Sequence, residues 1–168
     1  MEQEKFNADD ALALISTGSR EIGKSRDEVI DVVENIIANQ PQIECPVTHR
    51  FTPNMYIREV FIPAGTIVTS EIHKKEHPYV VSMGKITLWD GEGGQLVLSA
   101  PYTGITKENT RRVALVHEDC IFTTFHVTNA TTVEEAENDI FVDYDNVLMA
   151  EELKKNHRRH KNLKLKLK

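Results

Sequence analysis

Glu71, His73 and His77 stand within one short stretch, Gly65-Thr-Ile-Val-Thr-Ser-Glu71-Ile-His73-Lys-Lys-Glu-His77. Side chains alternate along a strand, so Glu71 and His73 point to the same side. His77 follows a short turn stiffened by Pro78, and pairing of the flanking strands can bring its imidazole back beside His73. Two imidazoles and a carboxylate suit borderline divalent cations. His126 lies on a late strand, on the same face as Phe122 and Thr124, and barrel closure can carry it to the same cavity. The expectation is one divalent transition metal (Zn, Fe, Mn or Ni) held by His73, His77, His126 and Glu71. Glu71 is also the candidate catalytic base. The plainer alternative is two surface histidines in the polar turn Lys-Lys-Glu-His-Pro, an ion-paired Glu71 and a packed, hydrogen-bonded His126. His117 beside Glu118 and Asp119 reads as a turn residue, and His49 precedes the first expected strand.

Arg58 and Glu59 face opposite ways on their strand, so one points inward, where an unpaired charge costs several kcal/mol. Arg58 is therefore a candidate anion binder, against the alternative of an internal salt bridge. Arg112, early on another strand, carries the same argument. Tyr56, Tyr79, Trp89 and Tyr102 can stack on a ligand or simply fill a core; Tyr56 joins Arg58 and Arg112 as a candidate ligand-binding residue. Asp90-Gly-Glu-Gly-Gly94 lacks the Lys-Ser/Thr of a phosphate loop and reads as a hairpin turn. There is no Gly-x-Ser-x-Gly elbow and no nucleophilic cysteine setting.

The elements that must position these groups follow from periodicity. Residues 1–41 read as helical. Ala11, Leu12, Leu14 and Ile15 form a short apolar patch. Ser25 with Glu28 makes a capping box, and Val29, Ile30, Val32, Val33, Ile36 and Ile37 recur on one broad helical face. Pro41 closes that helix. Its apolar side must lie on the following sheet, or on the same sheet of a second subunit. Residues 42–130 change to a strand pattern. Strands are expected at Met55–Ile62, Thr66–His73, Tyr79–Met83, Lys85–Trp89, Gln95–Ala100, Arg112–His117 and Ile121–Thr128, with Gly, Pro, Asn and Asp between them. Such spacing predicts an antiparallel sandwich or small barrel. Residues 131–153 give an acidic stretch, a strand-like run Ile140–Val142 and a helix from about Asp145 to Leu153. Residues 154–168 read as a basic, solvated tail.

The chain has 168 residues, 40% hydrophobic and 27% charged, which fits one globular domain with an appendage and excludes wholesale disorder. All 26 acidic residues lie at or before Glu152, together with only 12 of the 20 Lys and Arg. The body is thus strongly acidic and the tail basic. The tail can touch nucleic acid electrostatically, but the acidic body opposes a duplex-binding face. No apolar run reaches the roughly 18 residues of a membrane span, and the acidic start is unlike a secretory signal. Cys45 and Cys120 read as reduced thiols of a cytoplasmic protein, although spacing alone leaves a disulfide open.

The run Gly65-x5-Glu71-x-His73-x3-His77-x6-Gly84 resembles the first motif of the cupins: Gly, five residues, His, one residue, His, three or four residues, Glu, six residues, Gly. The glycines and the middle histidine match; Glu71 stands at the first histidine position and His77 at the glutamate position, so ligand types are exchanged. The second motif is poorly kept: around Thr106–Arg112 its proline and glycine are missing, and His126 with Asn129 is the nearest substitute for its His and Asn. Tyr56-Ile-Arg58-Glu59, Pro63-Ala-Gly65-Thr66, Ala100-Pro101, Arg111-Arg112-Val113 and Phe125-His126-Val-Thr128 resemble small cupin-like proteins of tailed bacteriophages. The resemblance implies a mainly-β jelly-roll barrel (a double-stranded β-helix) with N-terminal helices and short C-terminal helices. It also implies one metal, a small polar or anionic ligand in the barrel, and a homodimer or higher homo-oligomer. It implies no particular reaction. A metal-dependent enzyme and a non-catalytic sequestering or accessory phage protein remain the two readings.

Overall fold

The structure, a computed structural model, describes residues 8–90, 94–142 and 164–166. Two helices lead: α1 (Ala8–Ile22), broken at Gly18, and α2 (Arg26–Ala38). Ser25 caps α2 as its sequence predicts. Its side chain accepts from the Glu28 amide, and the Glu28 carboxylate accepts from the Ser25 amide at 2.7 Å. Seven strands follow: β1 (Val47–Thr52), β2 (Met55–Ile62), β3 (Thr66–Thr69), β4 (His77–Trp89), β5 (Gln95–Ser99), β6 (Tyr102–Thr106) and β7 (Val113–Val127). Then come α3 (Val133–Ile140) and β8 (Lys164–Lys166).

All pairing is antiparallel, and two long strands organise it. β4 and β7 pair along their length. The first half of β4 also pairs with β6, and the second half of β7 with β2, which carries β1. The second half of β4 pairs with β5, and the first half of β7 with β3, which carries β8. The result is two half-sheets sharing β4 and β7 and facing each other: a mainly-β jelly roll. Both long strands bend where their register slips, between Val81/Phe122 and Ile86/Val116. Gly84 makes the bend. Its φ is +85°, and a Cβ there would lie 2.2 Å from the Asp119 carbonyl oxygen. The slip also resets which side chains face in. His77, Tyr79 and Val81 point inward before it, Ile86 and Leu88 after it.

Between the half-sheets, Val60, Ile62, Tyr79, Val81, Ile86, Leu88, Leu98, Val116 and Cys120 form the core, joined by Cys45. Cys45 and Cys120 are both buried free thiols, and burial pushes the Cys120 thiol up to about 11. A second apolar cluster lies outside. Ile67, Trp89 and Val113 face away from the barrel interior and take the α1/α2 residues Ile15, Ile30, Val33 and Ile37. The apolar side of α2 is thus covered by its own chain's sheet. Arg111 locks it there, with Nη1 2.7 Å from Asp31 and Nη2 2.7 Å from Glu34, at 5% side-chain exposure.

Several elements differ from expectation. The two strands foreseen on each side of Gly84 are one, and so are the two on each side of Glu118 and Asp119, because the bend keeps its backbone pairing while turning charged side chains to solvent. β1 and β6 arise where loops were expected; both are polar, largely exposed edge strands without an apolar alternation. β3 ends at Thr69 instead of His73. The acidic stretch after Thr132 is helical, because the Thr132 side chain caps it and Ala136 and Ile140 pack under Tyr56. Lys164–Lys166, expected as solvated tail, pairs with β3. The helix foreseen from Asp145 to Leu153 lies outside the described residues. No helix among the described residues is long and apolar enough to cross a membrane.

Candidate metal centre and its cavity

Strand register brings two of the three histidines together. Thr124 of β7 lies between Arg58 of β2 and Tyr79 of β4. One pleat further on, His126 lies opposite Tyr56 and against His77, with ring centroids 4.4 Å apart. His73 arrives from the loop after β3, and backbone bonds from three directions hold that loop. Ser70 N–H donates to the Arg112 carbonyl at 2.9 Å, and Asn109 N–H to the His73 carbonyl at 2.9 Å. Lys74 N–H donates to the Ile140 carbonyl at 2.8 Å, and Val142 N–H to the Ile72 carbonyl at 2.9 Å. The His73 ring then sits 4.1 Å from His77 and 5.3 Å from His126, with Phe141 edge-on against it at 5.0 Å.

One nitrogen from each of these rings lies within 4.8 Å of the others. A cation bonding imidazole nitrogens at about 2.1 Å holds no two of them more than about 4.2 Å apart, so ring shifts below about an ångström close the set. The rings are also in the right protonation state. Burial, then the neighbouring rings His77 and His126, hold His73 down to about 2. Burial, then His77 and Arg58, hold His126 at about 3. Burial lowers His77 too, against the opposing pull of its bond to Lys75. All three are neutral imidazoles with a lone pair each. The His77 Nδ1 lies 3.2 Å from the Lys75 carbonyl, which can only accept, so Nδ1 carries the proton and Nε2 the lone pair. His126 Nε2 lies 2.9 Å from the Thr124 hydroxyl. The buried His73 Nδ1 has no hydrogen-bond partner. An unmet buried nitrogen facing two further neutral imidazoles is a donor set that suits a divalent cation, so these residues fit a metal.

His73 and His77 line a cavity of about 890 Å³, its mouth included, lying between the half-sheets, and His126 packs against both rings from behind. Most of its exposed wall surface is apolar, with Val60, Ile86, Leu88 and Phe122 prominent, and hydroxyl side chains such as Thr69, Thr106 and Thr124 are set among it. Arg58, Glu71 and Arg112 all line it. Glu71 is half-buried, and its carboxylate lies outside the three-nitrogen cluster. Among the described residues the Arg58 Nε, sealed from solvent, has no hydrogen-bond partner. The internal salt bridge considered for this position does not form among the described residues, since Glu59 faces out and pairs with Arg50. Arg112 donates from Nη1 to the Thr106 hydroxyl at 3.3 Å. Tyr56 does not line the cavity. It is fully buried behind His126, ring centroids 6.0 Å apart, with its hydroxyl 2.7 Å from His49 Nδ1. His117 faces out and bonds the Thr87 hydroxyl at 2.7 Å. Two contributors escaped the sequence reading. Thr124 could have been found, as it shares the His126 face; Phe141 had no local signal, because only tertiary docking brings it to His73.

No family model and no curated protein matches the chain. Similar solved structures include a cupin-2 domain containing protein from Shewanella frigidimarina, 10% identical over 66% of this chain and 100% of that one, TM-score 0.42. KdgF from Halomonas sp. is 16% identical over 54% and 83%, TM-score 0.42. Ectoine synthase from P. lautus is 8% identical over 69% and 92%, TM-score 0.48. At such identities and TM-scores these likenesses carry no argument, and the fold assignment rests on the strand order described above: a mainly-β jelly roll.

Proposed function

We propose that this protein binds one divalent transition metal (Zn, Fe, Mn or Ni) through His73, His77 and His126, and holds a small polar or anionic molecule in the adjoining cavity. The observation that carries this is the convergence of three neutral imidazole nitrogens within 4.8 Å, one ring keeping a buried nitrogen without a partner. A bound cation supplies a Lewis acid at the edge of the cavity. Glu71, in the same cavity, serves as a fourth ligand or takes up a proton from the guest; Arg58 and Arg112 attract and orient it. Elemental analysis of protein purified without a tag is the test. Near one equivalent of metal is expected, and less than a tenth, with no uptake of added Zn, Fe or Mn, overturns the reading.

A second reading, a non-catalytic sequestering or accessory phage protein built on the same pocket, keeps the metal and the guest and drops turnover. It is favoured if metal-loaded protein retains one metabolite through purification and converts nothing in broad substrate panels. The homo-oligomer proposed with either reading loses the support of α2, whose apolar face its own sheet covers, and keeps that of exposed Leu96, Val97 and Ile105 on β5 and β6.

A further inference from the structure

The cavity has an electrostatic imbalance that the three histidines do not address. Arg58 and Arg112 both line it, and neither guanidinium forms an ion pair with a carboxylate among the described residues. Glu71 is the one carboxylate among the cavity-lining residues; it and Glu137, outside the lining, both act on Arg58, and the lining itself sets two guanidiniums against one carboxylate. Both guanidiniums act on the His73 ring, which places their fields over the same part of the cavity. A buried donor left unsatisfied costs about 1–3 kcal/mol, more when it is charged. A guest supplying an anionic oxygen to the Arg58 Nε removes that cost on binding. The rest of the wall is mixed: Thr69, Ser70, Thr106, Thr110 and Thr124 offer hydroxyls, while Ile86, Leu88 and Phe122 from both half-sheets offer a continuous apolar surface on which a guest's hydrocarbon can lie.

We propose that the guest is a small organic carboxylate, its anionic head held by Arg58 with Arg112 adding to the attraction, and its apolar body lying against Ile86, Leu88 and Phe122. This narrows the reading above and rests on the same cavity, but not on the cation. An inorganic anion satisfies the guanidiniums and leaves the apolar wall wet; an alcohol of the same shape does the reverse.

The experiment is calorimetric titration of the full chain, stripped of metal with a chelator, against 4-methylpentanoate and 3-phenylpropanoate. Acetate, inorganic phosphate and 4-methylpentan-1-ol serve as comparisons. The two acids are expected to bind about tenfold or more tighter than all three comparisons. Arg58→Met is expected to remove that advantage while leaving metal content unchanged. Arg112→Gln, which leaves Arg58 in place, is the second variant should R58M fold poorly, and it is expected to weaken the acids more than the alcohol. Alcohol binding equal to acid binding, phosphate binding tighter than either acid, or acid binding unchanged in both variants each overturns the proposal. So does the absence of acid binding in metal-free protein. Loss of metal from the His73→Ala variant with acid binding intact separates the two readings: the metal site stands or falls by elemental analysis, the carboxylate site by this titration.

Discussion

His73 is the residue on which the centre turns, because among the three histidines it alone arrives from a loop and alone keeps an unmet buried nitrogen. Replacing His73, His77 or His126 singly by Ala is expected to weaken metal binding at least about a hundredfold, measured by chelator competition; Glu71→Ala, outside the nitrogen cluster, is expected to cost less. The same burial predicts a pH dependence in metal-free protein. His73 and His126 have folded-state values near 2 and 3, against about 6.5 in an unfolded chain. As pH falls below about 6.5 the unfolded chain takes up protons that the folded one refuses. Stability present above that pH is therefore lost progressively down to about pH 3, by up to about 1.4 kcal/mol per pH unit for each ring. Urea midpoints at pH 7.5 and 5 check the sign, and a flat profile contradicts it. Residue type and the spacing of His73 and His77 within a glycine frame pointed to these histidines, although His73 stands on a loop rather than on a strand. What lies around them was not legible. Tyr56 offered a ring for stacking and instead stands behind His126, with the discounted His49 on its hydroxyl.

At the scale of elements, the bend in β4 and the anchor of α2 are the points most open to test. Gly84→Ala puts a methyl against the Asp119 backbone at a positive φ. We expect a loss of about 2 kcal/mol or more, read as a lowered denaturation midpoint. Arg111→Ala leaves Asp31 and Glu34 facing each other under cover, and about 3–5 kcal/mol is expected to go. Arg111→Ala should also make α2 exchange its amide hydrogens faster than the barrel strands, since its lock to the sheet is gone. The α2 boundaries were plain in the sequence because a capping box and a proline are local signals. Strands β1 and β6 were hidden because an edge strand with exposed Thr, Arg and Tyr shows no alternation. The bend at Gly84 and Glu118-Asp119 imitates two hairpin turns, and only the partner strand reveals that the chain continues.

For the whole molecule, two half-sheets sharing β4 and β7 enclose both the core and the cavity beside it, so a guest or cation seated there acts on global stability. Metal present at a hundred times its dissociation constant is expected to raise unfolding free energy by about 2.7 kcal/mol. A chelator should lower the melting temperature accordingly, and no change on chelation would contradict the metal centre. The jelly roll itself was legible from strand spacing and the glycine frame, while the return of Lys164–Lys166 to the edge of β3 was not. The docking of 140–142 onto the His73 loop also bears on the order of events during synthesis. A ribosome-bound chain that has emerged only to residue 130 already carries His77 and His126 on their strands, but its His73 loop still lacks the two backbone bonds that Ile140 and Val142 supply, so the third imidazole gains its full support later than the other two.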